Sequence, residues 1–350
     1  MKGKQGMVCM GLLLVLSSCH TGKQITASGL QRKDFQTEVN GQHTDLFTLS
    51  NKQGMEVCIT NYGARVVSIL VPDRNGKRED VVCGFSTITE YMEQRQNFGS
   101  TVGRYIGRIL NARFTLDGVE YKLVPNNGKS GHISHGGNPG FADRIWKVEQ
   151  ADTHRVRLSY LSPDGENGFP GNLKVTLVYS LGEDDNALDL TYEATTDAPT
   201  VLNLSHHSFF NISGNFTKSV EDQQLWVDAD RFTPYDDKKC VTGEYLPVAG
   251  TPLDFRMPHA IGECIDADHP QLKVVNGYDH TWELNTKGDD TRPAAWVYDP
   301  ASGRKMEIFT TEPGMQIYTG NGLKGKMTGK RGIAYPFRSA VCFETMHFQD

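Results

Sequence analysis

Short stretches of alternating apolar and polar residues recur along most of the chain. Met55-Glu-Val-Cys-Ile-Thr60 alternates, Asn61-Tyr-Gly63 turns, and Ala64 to Val71 runs on as a second strand. Pro72-Asp-Arg-Asn-Gly76 follows with the Asn-Gly and Pro content of a hairpin loop. Arg113 to Leu123 reads as a hairpin about a two-residue Asp117-Gly118 turn. Arg155 to Leu161 and Leu173 to Leu181 are predicted strands around the loop Ser162–Gly171, and Ala187 to Thr195 alternates again, with Leu188, Leu190 and Tyr192 on one side. Lys305–Thr310, Met315–Thr319 and Ala340–Glu344 complete the set. No segment carries a long apolar repeat of helical period, and 36 Gly and 15 Pro are spread throughout as turn signals. Regularly spaced short strands of this kind predict an all-β sandwich or barrel. No repeat and no break in composition marks a second domain, so one β domain is expected from residue 32 to the end.

Thr200–Gly214 is the stretch where pattern and chemistry meet. Its β-branched and aromatic content predicts a strand that ends at Ser213-Gly214. Alternation then puts Leu202, Leu204 and His206 on one face, expected to be core, and Asn203, Ser205 and His207 on the other. A histidine on a rigid polar face is a candidate acid or base; two hydrogen-bonded structural histidines are the plainer reading.

The N-terminus changes the picture. Met1-Lys2-Gly-Lys4, an apolar run from Met7 to Leu16, and Ser17-Ser18-Cys19 have the order of a secretory signal too short to span a bilayer as a helix. Leu16-Ser-Ser-Cys19 resembles the bacterial lipobox, which implies a signal peptide over residues 1–18 and acylation of Cys19. His20 rather than Asp follows, which points to the outer membrane on its periplasmic side. Residues 19–31 have little to bury and read as a tether. The only membrane contact expected is that lipid anchor. A net charge of −6 without a basic run argues against a nucleic-acid partner. Beyond Cys19 the cysteines are Cys58, Cys83, Cys240, Cys264 and Cys342, widely spaced and without a CxxC pair. They suggest neither a disulfide framework nor a zinc site, although an oxidising compartment would allow one bridge.

Phosphate loops, dinucleotide fingerprints, HExxH and the Gly-x-Ser-x-Gly elbow are all missing. His132 and His135 would not share a face on a strand, so no metal is expected. Ser208 and His207 are adjacent, point to opposite faces and make a poor nucleophile–base pair. What remains is histidine plus carboxylate, with Asp254, Asp279 and Glu344 as the candidates. Glu344 follows an apolar strand, where a charge needs a partner or a function.

From Phe47 onward the chain resembles the aldose 1-epimerase (galactose mutarotase) family. The likeness is carried by Val102-Gly-Arg-Tyr-Ile-Gly-Arg-Ile109, His135-Gly-Gly137, Gly168-Phe-Pro-Gly-Asn-Leu173 and the stretch around His207. It continues in Ala229-Asp-Arg-Phe-Thr-Pro234, Gly250–Arg256, Gly277-Tyr-Asp-His280, Glu312-Pro-Gly314, Tyr318-Thr-Gly-Asn321 and Cys342-Phe-Glu-Thr345. The resemblance implies a large two-sheet antiparallel β-sandwich, the galactose mutarotase-like supersandwich, acting without a cofactor on free aldoses such as galactose and glucose. It implies His207 as general acid, Glu344 as general base, and Arg108, His135 and Asp254 as the residues that grip the sugar. The carboxylate is expected to favour the charged form of the histidine. Several positions depart from the pattern. Gly107 stands where many relatives carry Asn, His206 replaces Asn, Phe209 replaces Tyr, and Met346 replaces Gln. Relatives also continue past the position of Asp350, so the domain is expected to be short at its C-terminus, with an open sheet edge.

Three rival functions remain open. One is an anchored sugar-binding relative that has lost catalysis. Another is a glycoside hydrolase using Asp254 and Glu344. The third, an epimerase of phosphorylated sugars, lacks a cluster of basic residues for the phosphate.

Overall fold

The structure is a computed structural model that describes residues 24–349. The expected signal peptide and Cys19 lie outside the described residues.

Most expected strands form close to their predicted limits. Leu173–Leu181 buries Leu173, Val175, Leu177 and Tyr179 on one side, as its alternation requires. It pairs antiparallel with Arg155–Ser162 and with Leu188–Thr196, and Lys147–Ala151 completes a four-stranded sheet. A second four-stranded sheet runs Leu46–Ser50, Glu56–Thr60, Arg65–Pro72, Arg78–Asp80. Val57, Ile59 and Val66 from this sheet share one buried cluster with Val156, Leu158 and Leu177 from the first. The predicted hairpin also forms. Arg113–Leu116 and Val119–Lys122 pair with Leu116 opposite Val119, and both turn residues are left-handed, with φ of 53° at Asp117 and 79° at Gly118. Two positive φ values in succession suit the right-handed strand twist, and Asp-Gly tolerates them.

The sheet that matters most for chemistry has six antiparallel strands in the order Phe209–Phe210, Val341–Met346, Gly314–Tyr318, Asp279–Leu284, Ala229–Thr233, Leu246–Pro247. One of its faces is core. Val341, Phe343, Met315, Ile317, Trp282 and Leu284 pack there against Leu225, Val227, Ala295 and Val297 of a further four-stranded sheet. Burying each such side chain contributes about 1.5–3 kcal/mol, so this face is held firmly. The alternate residues Glu344, Gln316, Tyr318 and Asp279 are thereby turned to the other face. The fold is mostly β, and the layered sheets agree with the expected sandwich.

Two expectations are corrected. Thr200–Gly214 is not one strand: Ser205–His207 pairs with Ser100–Val102, whereas Phe209–Phe210 pairs with Val341–Met346. Its faces are also inverted. Leu202 is 37% exposed, while Asn203, Ser205 and His207 are buried. The reason is docking on the C-terminal segment: Asn203 exchanges hydrogen bonds with the backbone of His347, and Ser205 Oγ donates to the Thr345 carbonyl. Val341–Met346 pairs along its length with Gly314–Tyr318, and on its other side Phe209–Phe210 pairs with Val341 and Cys342.

Two short helices, Ile88–Gln94 and Pro270–Val275, escaped the pattern because neither is long enough to show a period. The first was nevertheless marked by a Thr87/Glu90 capping box. No described helix is long and apolar enough to cross a membrane. Cys58, Cys83, Cys264 and Cys342 are free thiols.

Candidate active site

Register builds the site. On the cleft face of the six-stranded sheet, Glu344 lies opposite Gln316, which lies opposite Thr281, while Asp279 lies opposite Tyr318. His207 arrives from the side on Ser205–His207, just before the chain crosses to pair Phe209 with Cys342. Its Nε2 is 3.4 Å from Glu344 Oε1, and both side chains are almost wholly buried. The His207 ring stacks on Phe209, with centroids 5.0 Å apart, and meets the His135 ring edge to face at 5.5 Å.

His135 is carried by a tight loop. Its own φ is 53°, and the following Gly136 has φ of 77°. A Cβ on Gly136 would lie 1.9 Å from the Gly103 carbonyl oxygen, so only glycine lets the His-Gly-Gly turn approach this closely. Gly107 N–H donates to His135 Nδ1 at 3.4 Å, which leaves Nε2 as the protonated nitrogen of the neutral ring. Arg108 follows on the short strand Arg108–Ile109. Its Nη1 donates to the Lys239 carbonyl at 2.9 Å, and its guanidinium sits 5.8 Å from the Tyr235 ring centroid. These groups line a cleft of about 250 Å³ together with Asn97, Phe209, Tyr235, Asp279, Gln316, Tyr318 and Gln349. The lining is rich in paired donors and acceptors and suits a polyol.

Burial dominates the electrostatics. It pushes the Glu344 carboxyl well above the usual range, with Asp279 adding to the rise. It pushes the His207 imidazole well below its usual value, with His135 next in effect. The expected charging of His207 by its carboxylate is therefore outweighed by desolvation. Both groups move toward neutrality, and a proton held between them belongs to the pair. His135 is lowered to about 4 by burial and then by Arg108, so it is neutral at pH 7.

Of the residues expected at the site, the structure brings His207, Glu344, Arg108 and His135 together. Asp254 is elsewhere. It is clamped by Arg256, which donates from Nε at 2.9 Å and from Nη2 at 2.8 Å, and it does not line the cleft. Besides Glu344, the carboxylate in the cleft is Asp279, half-buried and accepting from Gln316 Nε2 at 2.7 Å. The residue pattern named Asp279 among three candidate carboxylates, and the family resemblance pointed to Asp254 in its stead. Gln316, Tyr235 and Gln349 were missed outright, since uncharged polar residues on strands and loops give no periodic signal. His206 bonds Ser208 Oγ at 2.7 Å and does not line the cleft, as a structural histidine would. Among the described residues, His207, Cys342 and Glu344 place donor atoms within 4.8 Å of one another. A metal there would take the two groups best placed for acid–base work.

A family profile described as Aldose 1-epimerase matches residues 45–350. The galactose mutarotase of Sus scrofa is 39% identical over 302 residues, covering 86% of this chain and 85% of that protein. The chain belongs to the aldose 1-epimerase family. The aldose 1-epimerase of Escherichia coli (strain K12) is 36% identical, covering 84% of this chain and 83% of its own length. Among solved structures, the GalM/aldose epimerase homologue from C. elegans superposes with a TM-score of 0.79 at 30% identity, covering 87% of this chain and 89% of that one. Family membership and cleft geometry meet on the same strands: the family profile spans every residue that lines the cleft.

Proposed function

We propose that the protein interconverts the α and β anomers of free aldoses, galactose and glucose among them, by opening and reclosing the pyranose ring without a cofactor. The observation that carries this reading is the His207–Glu344 pair, 3.4 Å apart and buried at the side of a polar cleft. In the form of the pair whose shared proton sits on His207, Glu344 is a carboxylate and accepts the proton of the anomeric hydroxyl. The electron pair forms the C1 carbonyl, the bond from C1 to the ring oxygen breaks, and His207 gives its proton to that oxygen. The aldehyde turns about C1–C2, and the same two groups act in reverse to close the ring. One proton enters and leaves the pair in each half-cycle, so nothing is consumed.

Arg108, neutral His135 and Asp279 are the groups proposed to hold the sugar hydroxyls. The guanidinium only donates, and His135 donates from Nε2 because Gly107 N–H takes its Nδ1. A sugar held at several points recloses before the aldehyde leaves. A glycoside hydrolase built on Asp254 and Glu344 is disfavoured, because a histidine and not Asp254 faces Glu344.

Polarimetry of freshly dissolved α-galactose tests the reading. Wild-type protein is expected to speed the relaxation, and His207→Asn or Glu344→Gln to slow it by about 10²–10⁴-fold each. Folded wild-type protein that relaxes the sugar no faster than buffer sinks the proposal; saturable binding without rate would instead indicate a sugar-binding relative.

From the sequence we further propose export, removal of residues 1–18 and lipid anchoring through Cys19, with residues 19–31 as tether. Labelled palmitate should enter the wild type and not Cys19→Ser; label in neither removes the anchor.

A further inference from the structure

Gln349 lines the cleft and is 6% exposed, although it belongs to no strand or helix. Its carboxamide joins three walls of the cleft. Oε1 accepts from the Arg108 backbone N–H at 3.0 Å, and Nε2 donates to Tyr235 Oη at 3.2 Å and to Gln316 Oε1 at 3.3 Å. The orientation of the amide is dictated, since the Arg108 N–H can only donate and must meet the oxygen. Gln316 Nε2 also donates to Tyr235 Oη, at 3.2 Å. With two N–H groups on its oxygen, the phenol must aim its own hydrogen away from both amides, and its side chain lines the cleft.

The segment that brings Gln349 in is pinned on both sides. The His347 backbone exchanges hydrogen bonds with the Asn203 side-chain amide, Tyr105 Oη donates to the Phe348 carbonyl at 3.0 Å, and the Phe348 ring meets Tyr245 edge to face. The space it fills exists because residue 107 has no side chain. A Cβ on Gly107 would lie 2.3 Å from Gln349 Cδ and 2.6 Å from its Oε1.

We infer that Gln349 is a positioning residue of the sugar cleft, matched to Gly107. Its carboxamide holds the Arg108 backbone, Gln316 and Tyr235 together, and so sets the Tyr235 hydroxyl as a hydrogen-bond donor to a sugar hydroxyl. The role rests on the epimerase reading and acts on the grip of the sugar, not on proton transfer between His207 and Glu344.

The test is steady-state polarimetry with galactose on Gln349→Ala, Gln349→Glu, Gly107→Ala and the Gly107→Ala/Gln349→Ala double variant. Equilibrium galactose binding by calorimetry and thermal melts are run on each. Gln349→Ala is expected to raise KM about fivefold or more while kcat stays within about threefold. Gln349→Glu has the same size but cannot donate to Tyr235 and Gln316, so it should raise KM as well, which a packing role would not produce. Gly107→Ala should push the amide out and copy Gln349→Ala, and the double variant should be no worse than either single one. KM and Kd within twofold of wild type for Gln349→Ala and Gln349→Glu overturn the inference, as do effects of Gly107→Ala and Gln349→Ala that multiply. If Gln349→Ala does not melt cooperatively, the KM and Kd of Gln349→Glu decide between the two roles. Absence of a wild-type rate counts against the epimerase reading alone, because the Kd ratios still judge Gln349.

Discussion

Single residues at this site are decided by what surrounds them. Asp254 and Asp279 are chemically the same, and each follows a turn-like motif. One is held by the Arg256 fork, and the other is half-buried beside Gln316 and Glu344. Arg256 keeps the Asp254 carboxyl below its usual range, whereas burial raises that of Asp279. Asp254→Asn is therefore expected to leave sugar kinetics within about twofold and to lower stability by no more than about 1 kcal/mol, since the ion pair is partly exposed. Asp279→Asn should cut kcat/KM by about tenfold or more, the loss of one good hydrogen bond to a held sugar. Parallel polarimetry on the two variants decides it, and the opposite ranking would restore Asp254 to the site.

At the scale of elements, two local geometries aim the catalytic groups. Strand alternation in Val341–Met346 sends Val341 and Phe343 into the core and Glu344 into the cleft. The His-Gly-Gly loop then brings His135 against His207 by a left-handed turn at Gly136. Gly136→Ala adds a methyl 1.9 Å from the Gly103 oxygen, on a backbone that L side chains rarely adopt. The loop has to move. The expected cost is about 1–3 kcal/mol in stability, with a rise in KM as His135 leaves the sugar. Denaturant melts and kinetics on this variant check both; wild-type values for both would mean that the turn tolerates a side chain.

Over the whole molecule, burial of titratable groups makes stability depend on pH. His280 is fully buried, its ring lies against Phe232, Tyr235 and Trp282, and burial lowers it to about 3. In the unfolded chain it would titrate near 6.5. A lowered histidine binds its proton more readily when unfolded, so its contribution to stability is full above about pH 6.5 and is lost as pH falls toward 3. His280→Asn keeps an acceptor for the Asp279 N–H and removes the titration. Urea melts from pH 7 to pH 4 should then show a loss of stability with falling pH that is shallower by about 1.4 kcal/mol per pH unit than in the wild type. Parallel curves for the two proteins would show that the ring is not held neutral.

Alternation along Leu173–Leu181, the Asp117-Gly118 turn and the run before Glu344 were legible because they depend on neighbours in the chain. Backbone geometry alone, with a period of two and a tight turn, translates such patterns into structure. The same reasoning failed at Thr200–Gly214. There Asn203 and Ser205 turn inward because the backbone of His347 and Thr345 offers them partners, and those partners lie some 140 residues away. The motifs carried by the family likeness named His207, Glu344, Arg108, His135 and Asp254 by position in the chain, but not which of them meet. That Asp279 and not Asp254 joins them, that burial drives His207 and Glu344 toward neutrality, and that Gln349 fills the space left by Gly107 were decided by tertiary structure alone. Each depends on cross-strand register and on exclusion of water, which no local pattern encodes.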